Sequence, residues 1–261
     1  MFQTLYNSNG AKTCLMVTLK SAQPVTLCII AEKYNTVNSK YADRICKVHG
    51  ERTIYLQFPI SPDKLSIKIF NQMNPFDKSF EVKIQESDFR AYNIWLDAQT
   101  IRFMELSNYF CKVAGYEAAS DKGRLFQTDD AEFTIRYYNV IKDKGQPINT
   151  PARIGHNSGV IDAAKSKMDQ YTVPMREIIM LHEFSHKYKN PTLGLEIGNE
   201  VGADINALYI YLGLGFSKID AICVFAKVFL KAQSPGNIDR MRKIMKYIQK
   251  LESGEVAKVI T

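Results

Sequence analysis

His182-Glu183-Phe184-Ser185-His186 constrains this chain more than any other stretch, because it sets two imidazoles and a carboxylate one helical turn apart. On a helix, residues at i and i+4 stand about 40° apart, so both rings can reach one metal ion. Glu183 lies about 100° from His182, beside such an ion rather than on it. There it can take a proton from a metal-bound water. The surrounding run, Tyr171 to Asn190, reads as one helix, with Pro174 suited to its first turn and Pro191 stopping it. With His182 as origin, Met175, Ile178 and Ile179 fall within roughly 60° of it, so the histidines share the apolar face and point inward. Met180, Leu181 and Phe184 make most of the remaining surface apolar as well. The alternative is a pair of core histidines bonded to backbone with Glu183 solvated, which leaves two buried rings hard to satisfy.

Thirteen residues after His186, Asn199-Glu200-Val201-Gly202-Ala203-Asp204 opens a second apolar helix. Glu200 and Asp204 stand at i and i+4 and share a face. Between the helices, Pro191, Gly194 and Gly198 let the chain turn back. An acidic pair at a helix start is also what the helix dipole favours on any exposed face.

These residues resemble the gluzincin branch of zinc peptidases, whose signature is HExxH followed by a helix carrying ExxxD. The resemblance implies Zn²⁺ held by His182, His186 and Glu200, with Glu183 as general base. Asp204 would then orient a ligand histidine. The gap between the second histidine and the acid is shorter here than in the best-known members. That leaves Glu200 and Asp204 as alternatives for the third ligand, and the ExxxD layout favours Glu200. Two neutral imidazoles and one carboxylate leave the ion one open position, where water becomes acidic enough to supply hydroxide near neutral pH. The expected reaction is hydrolysis of a peptide bond, with a protein or peptide as substrate. A donor for the tetrahedral oxyanion is also needed. Arg153, His156, Tyr171, Tyr188 and Tyr211 are candidates, and the sequence does not choose among them.

Upstream, residues 150–156 and 159–162 read as two short extended pieces around an Asn157-Ser158-Gly159 turn. Zincin folds commonly place an edge strand just before the active-site helix, so Arg153 or His156 would line the cleft. Phe133 to Ile141 alternates as a strand, ended by Asp143-Lys144-Gly145. Downstream, Ser217-Lys218-Ile219-Asp220 is a capping box opening an all-round apolar helix through about residue 232. In the last helix, around residues 239–251, Ile238, Met241, Ile244, Met245, Ile248 and Leu251 form one face, while Arg240, Arg242, Lys243, Lys246 and Lys250 are assigned to the other.

The first ninety or so residues have a different texture. Short runs (TCLMVTLK, PVTLCIIA, RTIYLQF, KLSIKIF, SFEVKIQ) recur between breaks at Asn35, Asn38, Gly50, Pro59, Pro62, Asn74 and Pro75. Alternation in KLSIKIF marks a half-buried strand. The expected architecture is α+β: an antiparallel β-sandwich over residues 1–88, serving as an accessory or assembly domain, then a mostly helical, zincin-like domain over 89–261.

Five scattered cysteines without a CxxC pattern indicate reduced, buried thiols and a cytoplasmic setting. The N-terminal residues lack the basic and apolar regions of a secretory signal. No apolar run approaches the roughly 18 residues that span a bilayer. The net charge of +7 favours acidic surfaces, but no nucleic-acid motif accompanies it, so no nucleic-acid or membrane partner is expected.

The runs TPARI, YTVPMR, HEFSH and NALYIYLGLG, behind a β-rich N-terminal piece, are also similar to the zincin-like proteins of crAss-like phages. These are tailed viruses of gut Bacteroidales, and the proteins are encoded among tail and neck genes. This similarity covers most of residues 100–250. It implies a virion setting, with other virion proteins as partners in a symmetric ring and the β domain docking into it. A structural ring or tail component that keeps the zincin fold, with or without activity, is therefore the alternative to an active peptidase.

Overall fold

A computed structural model of the chain describes residues 1–196, 198–229 and 234–254. It is an α+β protein that divides into two compact units, Met1–Arg90 and Ala91–Thr261.

The first unit is one antiparallel sheet of β1 (Phe2–Asn7), β2 (Thr13–Lys33), β3 (Lys40–Phe58), β4 (Lys64–Asn71) and β5 (Phe80–Ser87). TCLMVTLK and PVTLCIIA, expected as separate strands, form the single strand β2, and Gly50 lies inside β3 instead of ending a strand. Both corrections have one cause. The β2–β3 register shifts between Ser21 and Val25, so the chain absorbs Pro24 in an irregularity, where its missing N–H costs no ladder bond. Opposite Ser21, Gly50 takes φ 76°, which a side chain would strain. One half of β2 pairs with β5 (Val17↔Ile84, Leu19↔Val82), the other with β4 (Ile29↔Ile69, Ala31↔Ile67). Odd-numbered Leu15, Val17, Leu19, Leu27, Ile29 and Ala31 therefore share one face with Leu65, Ile67 and Ile69, and all nine are fully buried. Each of the Leu, Ile and Val side chains contributes roughly 1.5–3 kcal/mol of burial. The β2–β3 turn uses Asn35 and Asn38 at φ 55° and 49°, a region asparagine tolerates.

The second unit begins with α1 (Ala98–Val113), capped by Asp97, which accepts from the Thr100 N–H at 2.7 Å. Four strands follow in a mixed sheet, β10 (Ala152–Ile154), β11 (Ile161–Ala164), β7 (Thr134–Tyr138) and β6 (Arg124–Gln127), in that spatial order. The strand read over residues 133–141 ends at Tyr138. The Lys144-Gly145 pair, at φ 45° and 84°, turns a small hairpin of β8 (Lys142–Asp143) and β9 (Gln146–Pro147). After the single turn α2 (Lys165–Met168) come α3 (Val173–Ser185), α4 (Glu200–Gly213), α5 (Lys218–Val224) and α6 (Pro235–Glu252). α5 passes into a π-helical turn at Phe225–Phe229, whose Ala226 and Lys227 are exposed. The expected all-round apolar helix is thus interrupted, and residues 230–233 of that reading lie outside the described residues. No described helix is long and apolar enough to cross a membrane.

α3 is the axis of this unit, and all thirteen of its residues are buried. Phe184 stacks on Phe103 of α1 at 4.2 Å between centroids and meets Phe133 edge-on at 5.8 Å. Arg176, fully buried, donates to the Met168 carbonyl at 2.8 Å and the Cys111 carbonyl at 3.0 Å, tying α3 to the end of α2 and to α1.

Candidate metal centre

Thr172 caps α3 by accepting from the Met175 N–H at 3.3 Å, and Pro174 occupies the first turn. The helix ends at His186 instead of continuing to Asn190. Asn190 instead caps a 3-10 turn, Pro191–Leu193, which Gly194 closes at φ 59°. That early stop lets the short connection return. Asn206 of α4 accepts from the Asn190 N–H at 2.8 Å and donates to Ser185 Oγ at 2.8 Å and the Tyr188 carbonyl at 3.2 Å. A buried amide thus fixes the middle of α4 against the end of α3 and the segment after it. Gly202 leaves room for the returning loop, since a Cβ there would stand 3.1 Å from the Glu196 carbonyl oxygen.

The return sets three side chains around one point. His182 Nε2 and His186 Nε2 are 3.1 Å apart, and Glu200 places one oxygen 3.7 Å from the first and the other 3.6 Å from the second. Donors on a zinc tetrahedron with bonds near 2.0 Å are about 3.3 Å apart, so the three positions fit such an ion with small adjustments. Among the described residues this is the one cluster of three or more His, Cys, Asp or Glu with that spacing. Burial, then the neighbouring His182, lowers the pKa of His186, which favours the neutral ring that a ligand needs.

Asp204, on the same face as Glu200, turns to the other side of the first histidine. Its Oδ1 lies 3.0 Å from His182 Nδ1, off the line of a well-formed N–H bond. The contact suits the tautomer that frees Nε2 for a metal. Arg240 of α6 then grips Asp204 with two bonds of 2.8 and 2.9 Å and reaches Glu200 at 3.1 Å. The assignment of Arg240 to the outward face of α6 is therefore corrected. Arg240 is one turn before buried Ile244, and the fully buried Asp204 carboxylate supplies the charge that draws it inward. Neither Arg240 nor Asn206 was recognisable as part of the site from the sequence. The only signal for Arg240 was its i,i+4 spacing from Ile244.

If the cluster holds zinc, replacing Arg240 with Ala is expected to lower its affinity by roughly 10- to 100-fold, as loss of a group that orients a metal ligand does. It should also cost about 3–5 kcal/mol of stability by leaving Asp204 buried without its cation. Zinc titration against a competing chelator, with urea melts, measures both. Unchanged affinity would mean that Arg240 only braces α6.

Glu183 lies beside the cluster and is nearly buried. Its Oε2 accepts from the Ile154 N–H of edge strand β10 at 3.0 Å. Burial raises its pKa, with Glu200 adding to the rise and His182 and the Ile154 N–H opposing it. The Phe229 ring stacks on His182 at 4.0 Å, so the π-helical turn forms one wall.

A cleft of about 690 Å³ opens onto His182, Glu183, His186 and Glu200. Of the five residues considered as oxyanion donors, Arg153 and Tyr171 line it. Arg153 pairs with Asp162 at 3.2 Å and Asp143 at 3.6 Å, and burial keeps the Tyr171 phenol protonated. The other three do not line it. His156 is exposed in the β10–β11 turn, Tyr188 stacks on Phe184, and Tyr211 is buried against Phe216, so the turn and the aromatic core claim them. The chain matches no family model, no curated protein and no solved structure.

Proposed function

We propose that this chain is a zinc-dependent peptidase, its second unit a zincin-like domain and its first a β-sandwich-type accessory module. The observation that carries the reading is the convergence of His182, His186 and Glu200, with Glu183 held beside them by Ile154. Bound by these three, a zinc ion supplies Lewis acidity, which acidifies water and polarises a carbonyl.

The rest is done by the chain's own groups. Glu183, with one oxygen occupied by the Ile154 N–H, has the other free to take the proton of the attacking water. It then passes that proton to the departing amine nitrogen. Asp204 faces His182 Nδ1 at 3.0 Å, and Arg240 holds Asp204 and Glu200. Arg153 and Tyr171 offer positive charge and an O–H to the oxygen of the scissile carbonyl. Four of the five unpaired cysteines are buried, in keeping with a reducing compartment.

The test is the zinc content of protein purified without added metal. About one ion per chain is expected, and His186→Ala should abolish it while leaving the circular dichroism spectrum intact. Wild-type protein that takes up no zinc from a micromolar solution would refute the proposal.

A further inference from the structure

We propose that the cleft selects an acidic peptide, recognised by Lys167 and Lys227. This rests on the peptidase reading for the identity of the ligand as a peptide. The charges lining the cleft are unequal in what they have left to give. Glu200 is shared with Arg240 at 3.1 Å, and one oxygen of Glu183 accepts from the Ile154 N–H. Arg153 is held by Asp162 and Asp143. Each of these faces a substrate with its charge at least partly matched.

The two lysines are different. Lys167 is half-buried on α2, where the neighbouring Lys165 takes Asp169 at 3.2 Å. Lys227 is on the π-helical turn, two residues before the Phe229 that stacks on His182. Both line the cleft, and neither has an ion-pair partner among the described residues. Two lysines from different elements thus border the cleft that opens onto His182, His186 and Glu200, and among the described residues no acid is paired with either. A peptide carrying Asp or Glu beside its scissile bond would supply that acid, and a cationic peptide would meet repulsion.

The test is fluorescence-anisotropy binding of three labelled decapeptides, acidic, neutral and basic, to the protein in EDTA. Lys167→Glu/Lys227→Glu is compared with Lys246→Glu/Lys250→Glu, an equal charge change on the exposed side of α6. The acidic peptide should bind best and lose roughly 10- to 100-fold in the cleft variant, but less than about threefold in the control. Its affinity should weaken with salt. Equal losses in both variants would reduce the effect to the net charge of +7 and overturn the proposal. So would equal binding of all three peptides, or preferential binding of a DNA oligonucleotide of matched charge. Binding is read without metal, so the two readings fail separately. Charge-selective binding at the cleft in a chain that takes up no zinc would sink the peptidase reading alone. Zinc-dependent hydrolysis indifferent to peptide charge would sink this one alone.

Discussion

Glu183→Gln is expected to keep its zinc and to lose roughly 10²- to 10⁴-fold in peptide hydrolysis. The amide has the volume of the carboxylate, and its oxygen can still accept from the Ile154 N–H, now 3.0 Å from Glu183 Oε2. α3 is buried along its whole length, and the His182 ring packs against Phe229 with Asp204 3.0 Å from its Nδ1. An uncharged isostere at position 183 therefore leaves His182, His186 and Glu200 where they are. What it removes is a group able to accept and return a proton. Zinc stoichiometry and single-turnover hydrolysis of an acidic peptide measure the two consequences together. A variant that retains zinc and wild-type turnover would exclude Glu183 as the base. A variant that loses the metal would make Glu183 part of the ligand framework instead.

The second large effect concerns stability. Glu177, on α3, is fully buried, and neither carboxyl oxygen makes a well-formed hydrogen bond. Burial pushes its pKa up from 4.5 to about 7, against smaller lowering contributions from the adjoining Ser107 hydroxyl, Cys111 thiol and Lys112. The same burial, reinforced by Glu177, holds the Cys111 thiol well above its ordinary value. Because the folded chain binds this proton more tightly than the unfolded chain, the associated stability is complete below pH 4.5. It is lost as pH rises to about 7 and changes little beyond. The span corresponds to about 3 kcal/mol. Glu177→Gln should match the wild type near pH 4 and exceed its stability by up to that amount at pH 8. Urea melts with EDTA at both pH values test this. A difference between the two proteins that does not widen with pH would show that the acid is not kept neutral by burial.

Much of the site's local geometry was legible in the sequence because it depends on near neighbours. Pro174 and the i,i+4 histidines mark a helix with an inward face, and α3 carries His182 on it with His186 as its C-cap. Ser217 caps the helix it was expected to open, accepting from the Ile219 N–H at 3.3 Å. The alternation in KLSIKIF became β4, with Leu65, Ile67 and Ile69 on the buried face. Helix ends and strand continuity were less legible. Asn190 serves a new turn instead of extending α3, and β2 runs through Pro24 because β3 lies alongside to hold it.

The sequence by itself determined which residues could act together within one turn or one strand, because spacing alone sets the direction of neighbouring side chains. It placed His182 and His186 as a pair, Glu183 beside them, and Glu200 with Asp204 on one later face. Only the tertiary structure separated the two acids, bringing Glu200 to the Nε2 side of the histidines and Asp204 to Nδ1. It also recruited Asn206 to anchor the returning loop and turned Arg240 inward from α6. Those choices follow from burial: a carboxylate sealed from water must find its cation wherever the fold brings one close, at any distance along the chain.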